Sequence, residues 1–181
     1  MGYPPKEVLR DLIDGKLPWD LTKRILSGLK DEDRFDKCLE IRQERVKWKD
    51  KILLPYQEHL YIVEKGDDRI VKCDCGYEFG DYRENWKLKA VMDVLEGEEL
   101  DLFYPSYSKP VPEFCEVRRF YCPDCSTLLE VETVPRGYPI IFDFLPDIDT
   151  FYREWLGRPL KTEREFKDLT CELTKEWGKQ T

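Results

Sequence analysis

Histidine is almost missing from this chain: His59 is the only one in 181 residues. Any chemistry that needs two imidazoles is thereby excluded, the His-Glu-x-x-His zinc protease site among them. A Ser-His-Asp triad would have to use His59, which sits in a strand-like run with no supporting motif. No apolar run approaches the roughly 18 residues of a membrane-crossing helix. The opening Met1-Gly2-Tyr3-Pro4-Pro5-Lys6-Glu7 lacks the basic-then-apolar pattern of a secretory leader, so a reducing, cytoplasmic setting is expected. Positive charge is also short, with 30 basic against 38 acidic residues and a net charge of −8. That argues against nucleic-acid binding, which needs a cationic surface to displace counterions from phosphate. Neither a Gly-x-x-x-x-Gly-Lys-[Ser/Thr] loop nor a Gly-x-Gly-x-x-Gly turn is present, so no nucleotide site is expected.

What is present can build a core. Hydrophobic residues make up 41% and aromatics 13%, with five tryptophans, which excludes a disordered chain and fits one domain with appended helices. The first third reads as helical. Val8, Leu9, Leu12 and Ile13 form a helical stripe after Pro4-Pro5 that stops at Gly15. Leu21, Ile25 and Leu26 define a second helix from about Asp20 to Ser27-Gly28. A third starts near Asp31 or Asp33 with Phe35, Cys38, Leu39 and Val46 on one face. After Pro55 the period changes. The runs 59–64 and 69–73, joined by Gly66-Asp67-Asp68, predict a hairpin. Alternation over 86–94 predicts a half-buried strand, and 96–112 a loop with one helical turn. The runs 114–122 and 128–134 predict two more strands, and Pro139–Phe144 a short apolar one. Helix is expected again from Pro146 to Gly157. A last helix is expected from the capping-box pattern Thr162-Glu163-Arg164-Glu165, with Phe166, Leu169, Leu173 and Trp177 on one face and Gly178 as its stop.

Four of the seven cysteines fall in two tight pairs, Cys73-Asp74-Cys75-Gly76 and Cys122-Pro123-Asp124-Cys125. Two ligands so close in sequence must share a tight turn that aims both sulfurs at one ion. Pro123 presets such a turn and Gly76 permits a positive φ. Each pair follows a strand-like run, as in a zinc ribbon, where four thiolates fill a tetrahedron and leave no position for a reacting water. The metal expected at Cys73, Cys75, Cys122 and Cys125 is thus a structural Zn2+. Two features depart from a compact ribbon: one residue, not two, separates the first pair, and 46 residues run from Gly76 to Tyr121 where roughly 15–20 are usual. Ser126 also stands where a glycine often follows the second pair. Loop-closure entropy grows slowly enough to tolerate the insertion. Lys72, Arg118 and Arg119 are near enough in sequence to offset the −2 charge of such a site, or they form a solvated strand face.

The other candidates read as ordinary structure. Cys38 is expected in the core, Cys115 is the one substitute ligand to weigh, and Cys171 has no assigned role. Asp143, Asp147 and Asp149 could hold a cation, but an N-cap beside a strand end accounts for them better. Arg83 to Lys87 reads as an exposed turn entering a strand.

Three segments together resemble the acetone carboxylase gamma subunit family, the small subunit of acetone- and acetophenone-type ketone carboxylases. They are Cys73-Asp-Cys-Gly-Tyr-Glu-Phe-Gly-Asp-Tyr-Arg-Glu-Asn-Trp-Lys-Leu88, Phe120-Tyr-Cys-Pro-Asp-Cys125, and Tyr138-Pro-Ile-Ile-Phe-Asp-Phe-Leu-Pro-Asp-Ile-Asp-Thr-Phe-Tyr-Arg-Glu-Trp-Leu-Gly157. The helical stretch 31–48 also fits, and the likeness runs from about residue 6 to 158. The family pattern often places a histidine after Cys-x-Cys-Gly and another in the later apolar strand. Tyr77 and Phe142 hold those places here, so no imidazole ligand or base carries over. The resemblance implies a cytoplasmic complex of large hydantoinase-like alpha and beta subunits with this small one. Such complexes are ligases that carboxylate a ketone with bicarbonate, driven by ATP, with the nucleotide and substrate sites on the large subunits.

The expected fold is α+β: a small antiparallel β core with a zinc-ribbon-like four-cysteine site, flanked by N-terminal and C-terminal helices. The segments are 1–50, helical; 51–145, the β domain; and 146–181, helices packing on the same domain. The expected function is that of a zinc-binding accessory subunit of a ketone carboxylase, with no catalytic group and no organic cofactor of its own. The alternatives are a free-standing zinc-ribbon module binding nucleic acid or a transcription protein, and a small enzyme with three cysteine ligands and a zinc-bound water.

Overall fold

The computed structural model describes residues 4–29 and 31–177. Three helices open the chain: α1 (Lys6–Ile13), α2 (Trp19–Ser27) and α3 (Arg34–Gln43). Each buries one aliphatic anchor, Leu9, Ile25 and Ile41 respectively. Lys6 and Arg10 of α1 reach Glu44 just past α3, and Lys6 also reaches Glu40, which clips the two helices side by side. Asp31 lies under the start of α3 with its carboxylate against Arg34 and Lys37. The third helix is shorter than its sequence pattern: it ends at Gln43, so Val46 and Trp48 pack from the connection that follows it.

Four antiparallel strands then form a meander in the order β1 (Lys51–Pro55), β2 (Leu60–Lys65), β3 (Asp68–Cys73) and β4 (Glu78–Asp81). The β2–β3 hairpin turns at Gly66, whose φ of 61° suits a residue without a Cβ. Strands β1 and β4 are additions to the sequence reading. The first ends at Pro55 and carries a register shift between Ile52 and Leu54; the second holds only four residues. Neither has the clean alternation that marks a strand.

A second sheet is built from β5 (Val91–Leu95), β6 (Cys115–Tyr121) and β7 (Leu128–Pro135), all antiparallel, with α4 (Glu98–Phe103) between β5 and β6. The strand expected over 86–94 is half a strand. Trp86–Lys89 is a 310 turn because the buried Asn85 side chain accepts the Lys87 N–H and caps it. The strand expected at Pro139–Phe144 is irregular instead. Its backbone is held by side chains: Asn85 donates to the Ile140 carbonyl, Arg118 to that of Tyr138, and the Tyr56 hydroxyl to that of Phe144.

Helix resumes as expected at α5 (Ile148–Thr150), which runs into a π turn, Phe151–Trp155; Gly157 follows with a φ of 64°. The last helix, α6 (Thr170–Trp177), starts eight residues later than the capping-box pattern indicates. The reason is competition for backbone groups. The Thr162 carbonyl accepts Arg69, and the Arg164 N–H donates to Asp149, which hold this segment along the sheet. Asp168 then accepts the Thr170 N–H at the true start, and Leu169 N–H donates to the Arg83 carbonyl. The expected stop at Gly178 lies outside the described residues.

One core joins the two sheets. Leu53, Leu60, Ile62 and Val71 of the first sheet pack with Phe79, Trp86, Phe120, Ile148 and Tyr152, and the Tyr152 hydroxyl donates to the Leu53 carbonyl at 2.8 Å. Each aliphatic side chain buried this fully contributes about 1.5–3 kcal/mol. Two cysteines, Cys73 and Cys122, belong to this core. The fold is therefore α+β with antiparallel sheets and flanking helices, and no helix among the described residues is long and apolar enough to cross a membrane.

Candidate metal centre

Each cysteine pair sits at a hairpin tip, one from each sheet. Cys73 is the last residue of β3, and Cys75 lies in the turn to β4. Gly76 N–H donates to the Cys73 carbonyl, and its φ of 107° lets the chain reverse so that Cys73 N–H meets the Tyr77 carbonyl. A Cβ at Gly76 would be strained at that φ and would also meet Trp48 at 3.4 Å. The Trp48 indole N–H reinforces the turn by donating to the carbonyls of Cys73 and Asp74.

The second tip repeats the logic between β6 and β7. Cys122 N–H donates to Thr127, and Ser126 N–H to the Cys122 carbonyl. Ser126 has a φ of 57°, the position where a glycine is usual, and is the one non-glycine residue with positive φ among the described residues. The chain accepts that strain to close the turn.

The four sulfurs converge, all within 4.8 Å of one another. Cys73 Sγ lies 3.8 Å from Cys125 Sγ, and Cys75 Sγ 3.7 Å from Cys122 Sγ. A tetrahedron of metal–sulfur bonds of about 2.3 Å has edges of about 3.8 Å, so the spacing fits one ion. The distances also exceed the roughly 2.05 Å of a disulfide. Cys73 and Cys122 face inward while Cys75 and Cys125 are exposed, which puts such an ion at the margin of the core.

Without a cation the cluster does not favour four thiolates. Burial pushes the Cys73 thiol up strongly and that of Cys75 to about 12. At Cys125 burial acts in the same sense, but hydrogen bonding from Thr127 outweighs it and brings the thiol down to about 7. The Tyr77 N–H donates to Cys75 Sγ at 3.4 Å, the kind of backbone contact that supports a thiolate. Soft sulfur donors of this number and geometry suit a metal ion.

An aromatic chain connects the two tips. Tyr77 meets Phe79 at 4.9 Å between ring centres, Phe79 meets Trp86 at 5.7 Å, and Trp86 meets Phe120 at 6.3 Å, all edge to face. It begins two residues after Cys75 and ends two before Cys122, so aromatic packing helps to set the distance between hairpins.

The remaining candidates separate in space. Cys115 opens β6 while Cys122 follows its end, roughly 20 Å away along an extended strand, so Cys115 cannot substitute as a ligand. Cys38, expected in the core, is only half-buried, and burial raises its thiol. The cations expected near the sulfurs are engaged elsewhere. Lys72 is held by Asp50 at 2.5 Å and Glu78 at 3.1 Å beside the Trp48 ring; Arg118 by Glu116 and Glu132; Arg119 by Asp93 and Glu99. The three aspartates near the C-terminal helix part company. Asp147 caps α5 through the Thr150 N–H, Asp149 pairs with Arg69, and Asp143 pairs with Lys87.

Lys87 is the residue the sequence reading missed. It is 2% exposed and its ammonium contacts Glu130 at 2.7 Å, Glu132 at 3.0 Å and Asp143, above the face of Phe120. Burial works against its charge, but these carboxylates prevail and raise its pKa. Glu130 and Glu132 stand two apart on β7, hence on one face, and that spacing was the available signal.

Residues 46–156 match the family described as acetone carboxylase gamma subunit. The chain belongs to that family. It is 41% identical over 163 residues to the acetone carboxylase gamma subunit of Xanthobacter autotrophicus, a match that covers 88% of this chain and 96% of the relative. It is also 31% identical over 80 residues to the acetophenone carboxylase beta subunit of Aromatoleum aromaticum, over 42% of this chain and 62% of that protein. The matched region of the family begins just before β1 and ends at the π turn, so it takes in both sheets and both cysteine hairpins.

Proposed function

We propose that this chain is the zinc-binding accessory subunit of an ATP-dependent ketone carboxylase complex that joins a ketone and bicarbonate to give a 3-oxoacid. The observation that carries the reading is the convergence of Cys73, Cys75, Cys122 and Cys125 at tetrahedral spacing inside the segment shared with the family. Zinc suits the set because four thiolates satisfy its preferred coordination with no position left open. When bound, it supplies a cross-link between the two sheets and no reacting ligand. The chain's own part is architectural: the two hairpins present the sulfurs, the aromatic chain spaces them, and the outer surface meets the large subunits. Those subunits, hydantoinase-like in this reading, carry the nucleotide and substrate sites in the cytoplasm.

The basic residues support this over nucleic-acid binding. Among the described residues many of them are paired with carboxylates, Lys6, Arg45, Lys89, Arg119 and Arg158 included, which takes up the positive charge that phosphate requires.

Elemental analysis of the chain purified without added metal tests the reading, together with co-purification from the native source. One zinc per chain and stable association with larger subunits are expected, and the isolated chain is expected to hydrolyse no ATP. A zinc content near zero, or a chain that always purifies alone, overturns the reading.

A further inference from the structure

A cleft of about 490 Å³ opens between the end of α1, the end of α3 and the start of β2. Its floor is tied to the first cysteine turn. Asp74, the residue between Cys73 and Cys75, places Oδ2 2.6 Å from Nδ1 of His59. Tyr61 also faces this cleft; burial first, and then Asp74, push its hydroxyl up to about 12, against the nearby Arg42 guanidinium, which lowers it. A carboxylate only accepts, so Nδ1 of a neutral His59 carries the proton and Nε2 is left as an acceptor.

The walls carry the cations Lys16, Arg42 and Arg45 together with the carboxylates Asp14 and Glu58. Asp14 is taken up by Lys16 at 2.9 Å and Arg45 at 2.5 Å. Arg42 donates one N–H to the Glu58 carbonyl at 3.2 Å, and no carboxylate among the described residues lies within ion-pair distance of its guanidinium. The Arg42 fork therefore keeps donors to spare beside an imidazole acceptor, and the chain places its one histidine here. A guanidinium fork matches a planar or tetrahedral oxyanion, while an acceptor nitrogen beside it selects one that still bears a hydrogen.

We propose that this cleft binds a small hydrogen-bearing oxyanion, hydrogen carbonate or hydrogen phosphate, which accepts from Arg42 and donates to His59 Nε2. The site lies behind the cysteine turn and needs no part of the metal's coordination sphere. It does not depend on the reading of the chain as an accessory subunit, and it is a site additional to the substrate sites which that reading places on the large subunits.

The test is titration of the 15N-labelled full chain in Tris buffer at constant ionic strength, with bicarbonate, inorganic phosphate, acetate and chloride as separate arms. Zinc content is measured on each sample, so that loss of the metal centre is distinguished from loss of the anion. Saturable shifts confined to the amides around Arg42, His59, Tyr61 and Asp74 are expected with bicarbonate or phosphate, and the stronger arm identifies the ligand. Acetate, which has no O–H to donate at neutral pH, is expected to bind about tenfold more weakly or not at all. Arg42→Gln is expected to weaken binding by about tenfold or more with zinc content unchanged. If that variant does not fold, Arg42→Lys, which keeps the charge and loses the fork, replaces it and is also expected to weaken binding. Shifts that fail to saturate, acetate or chloride binding as tightly as the hydrogen-bearing anions, or unaltered affinity in the folded Arg42 variant each overturn the proposal.

Discussion

Arg69 and Asp149 stand 80 residues apart in sequence and meet in a buried, two-pronged ion pair, with N–O distances of 2.6 and 2.8 Å. The pair fastens α5 to β3, and Asp149 also accepts the Arg164 N–H, so one carboxylate anchors both the helix and the extended segment beyond it. Asp149→Asn is expected to cost about 3–5 kcal/mol, because it leaves the Arg69 charge buried without its partner. Urea unfolding of the metal-loaded chain measures this, and a loss below about 1 kcal/mol counts against the anchor.

The same pair predicts an acid limb. Burial raises the Asp149 carboxyl, but Arg69 and the Arg164 N–H outweigh it and hold it below the ordinary carboxylate range. A depressed folded-state value means that the stabilisation is fully present above the unfolded value of about 3.9 and is lost as pH falls through the lower, folded one. Wild type is expected to lose stability more steeply than Asp149→Asn below about pH 4. Parallel pH profiles for the two proteins would show that Asp149 is not the group responsible.

Cysteine substitutions separate the metal centre from the core. Cys122→Ser breaks the four-sulfur set, and metal binding is worth on the order of 10 kcal/mol in small zinc peptides. Cys38→Ser alters one half-buried group on α3 and is expected to cost about 1 kcal/mol. Thermal unfolding with and without a chelator reads the difference. Chelation is expected to lower the melting temperature of wild type and of Cys38→Ser, and to leave Cys122→Ser unmoved. Equal shifts in all three would remove the structural metal from the account.

These features differ in how far the residues announced them. The cysteine pairs were legible because tight spacing forces a shared turn, and the β2–β3 hairpin because Gly66 punctuates two apolar runs. The two additional strands were not legible, since β1 carries a register shift and β4 is too short for alternation to show. Tertiary contacts overrode local pattern in two places. Asn85, Arg118 and Tyr56 claim the carbonyls of the 138–144 run that a strand would pair, and Arg69 with Asp149 draws out the segment 162–164 that the capping-box pattern marks as helix. In the site, the convergence of the sulfurs was legible, while the partners of the nearby cations were not. Lys72 and Arg118 find carboxylates on neighbouring strands, a choice fixed by register and invisible before the sheets are assembled.

Lys87 supplies the one ammonium shared by Glu130, Glu132 and Asp143, so its removal should be felt as repulsion. Lys87→Met is expected to destabilise the chain by about 3–5 kcal/mol, since Glu130 and Asp143 lose their ion-pair partner and Glu132 keeps only Arg118 at 3.4 Å. The sign of the pH effect follows. The orphaned carboxyls gain by taking up protons, so the variant's deficit should shrink as pH falls from 7 towards 5. Adding Glu130→Gln should recover part of the loss. A deficit that is independent of pH and unrelieved by the second change would assign Lys87 a packing role only.

The segment between β5 and β6 offers a test of the subunit surface, because its aromatics divide cleanly. Tyr104 is half-buried and packs on Leu95, Leu100 and Val117. Phe103 and Tyr107 are exposed, Tyr107 at 90%. Aromatic side chains buried against a partner dominate interface energetics, with losses of about 2 kcal/mol or more on truncation. Tyr104→Ala should therefore lower the melting temperature of the isolated chain. Phe103→Ala with Tyr107→Ala should leave it unmoved and weaken assembly with the large subunits by roughly thirtyfold. Size-exclusion chromatography and a pull-down of the reconstituted complex read the second effect, and calorimetry the first. If the double variant assembles as tightly as wild type, the contact lies on another face, and the exposed Trp155 and Phe166 near the C-terminal helices are the next residues to truncate.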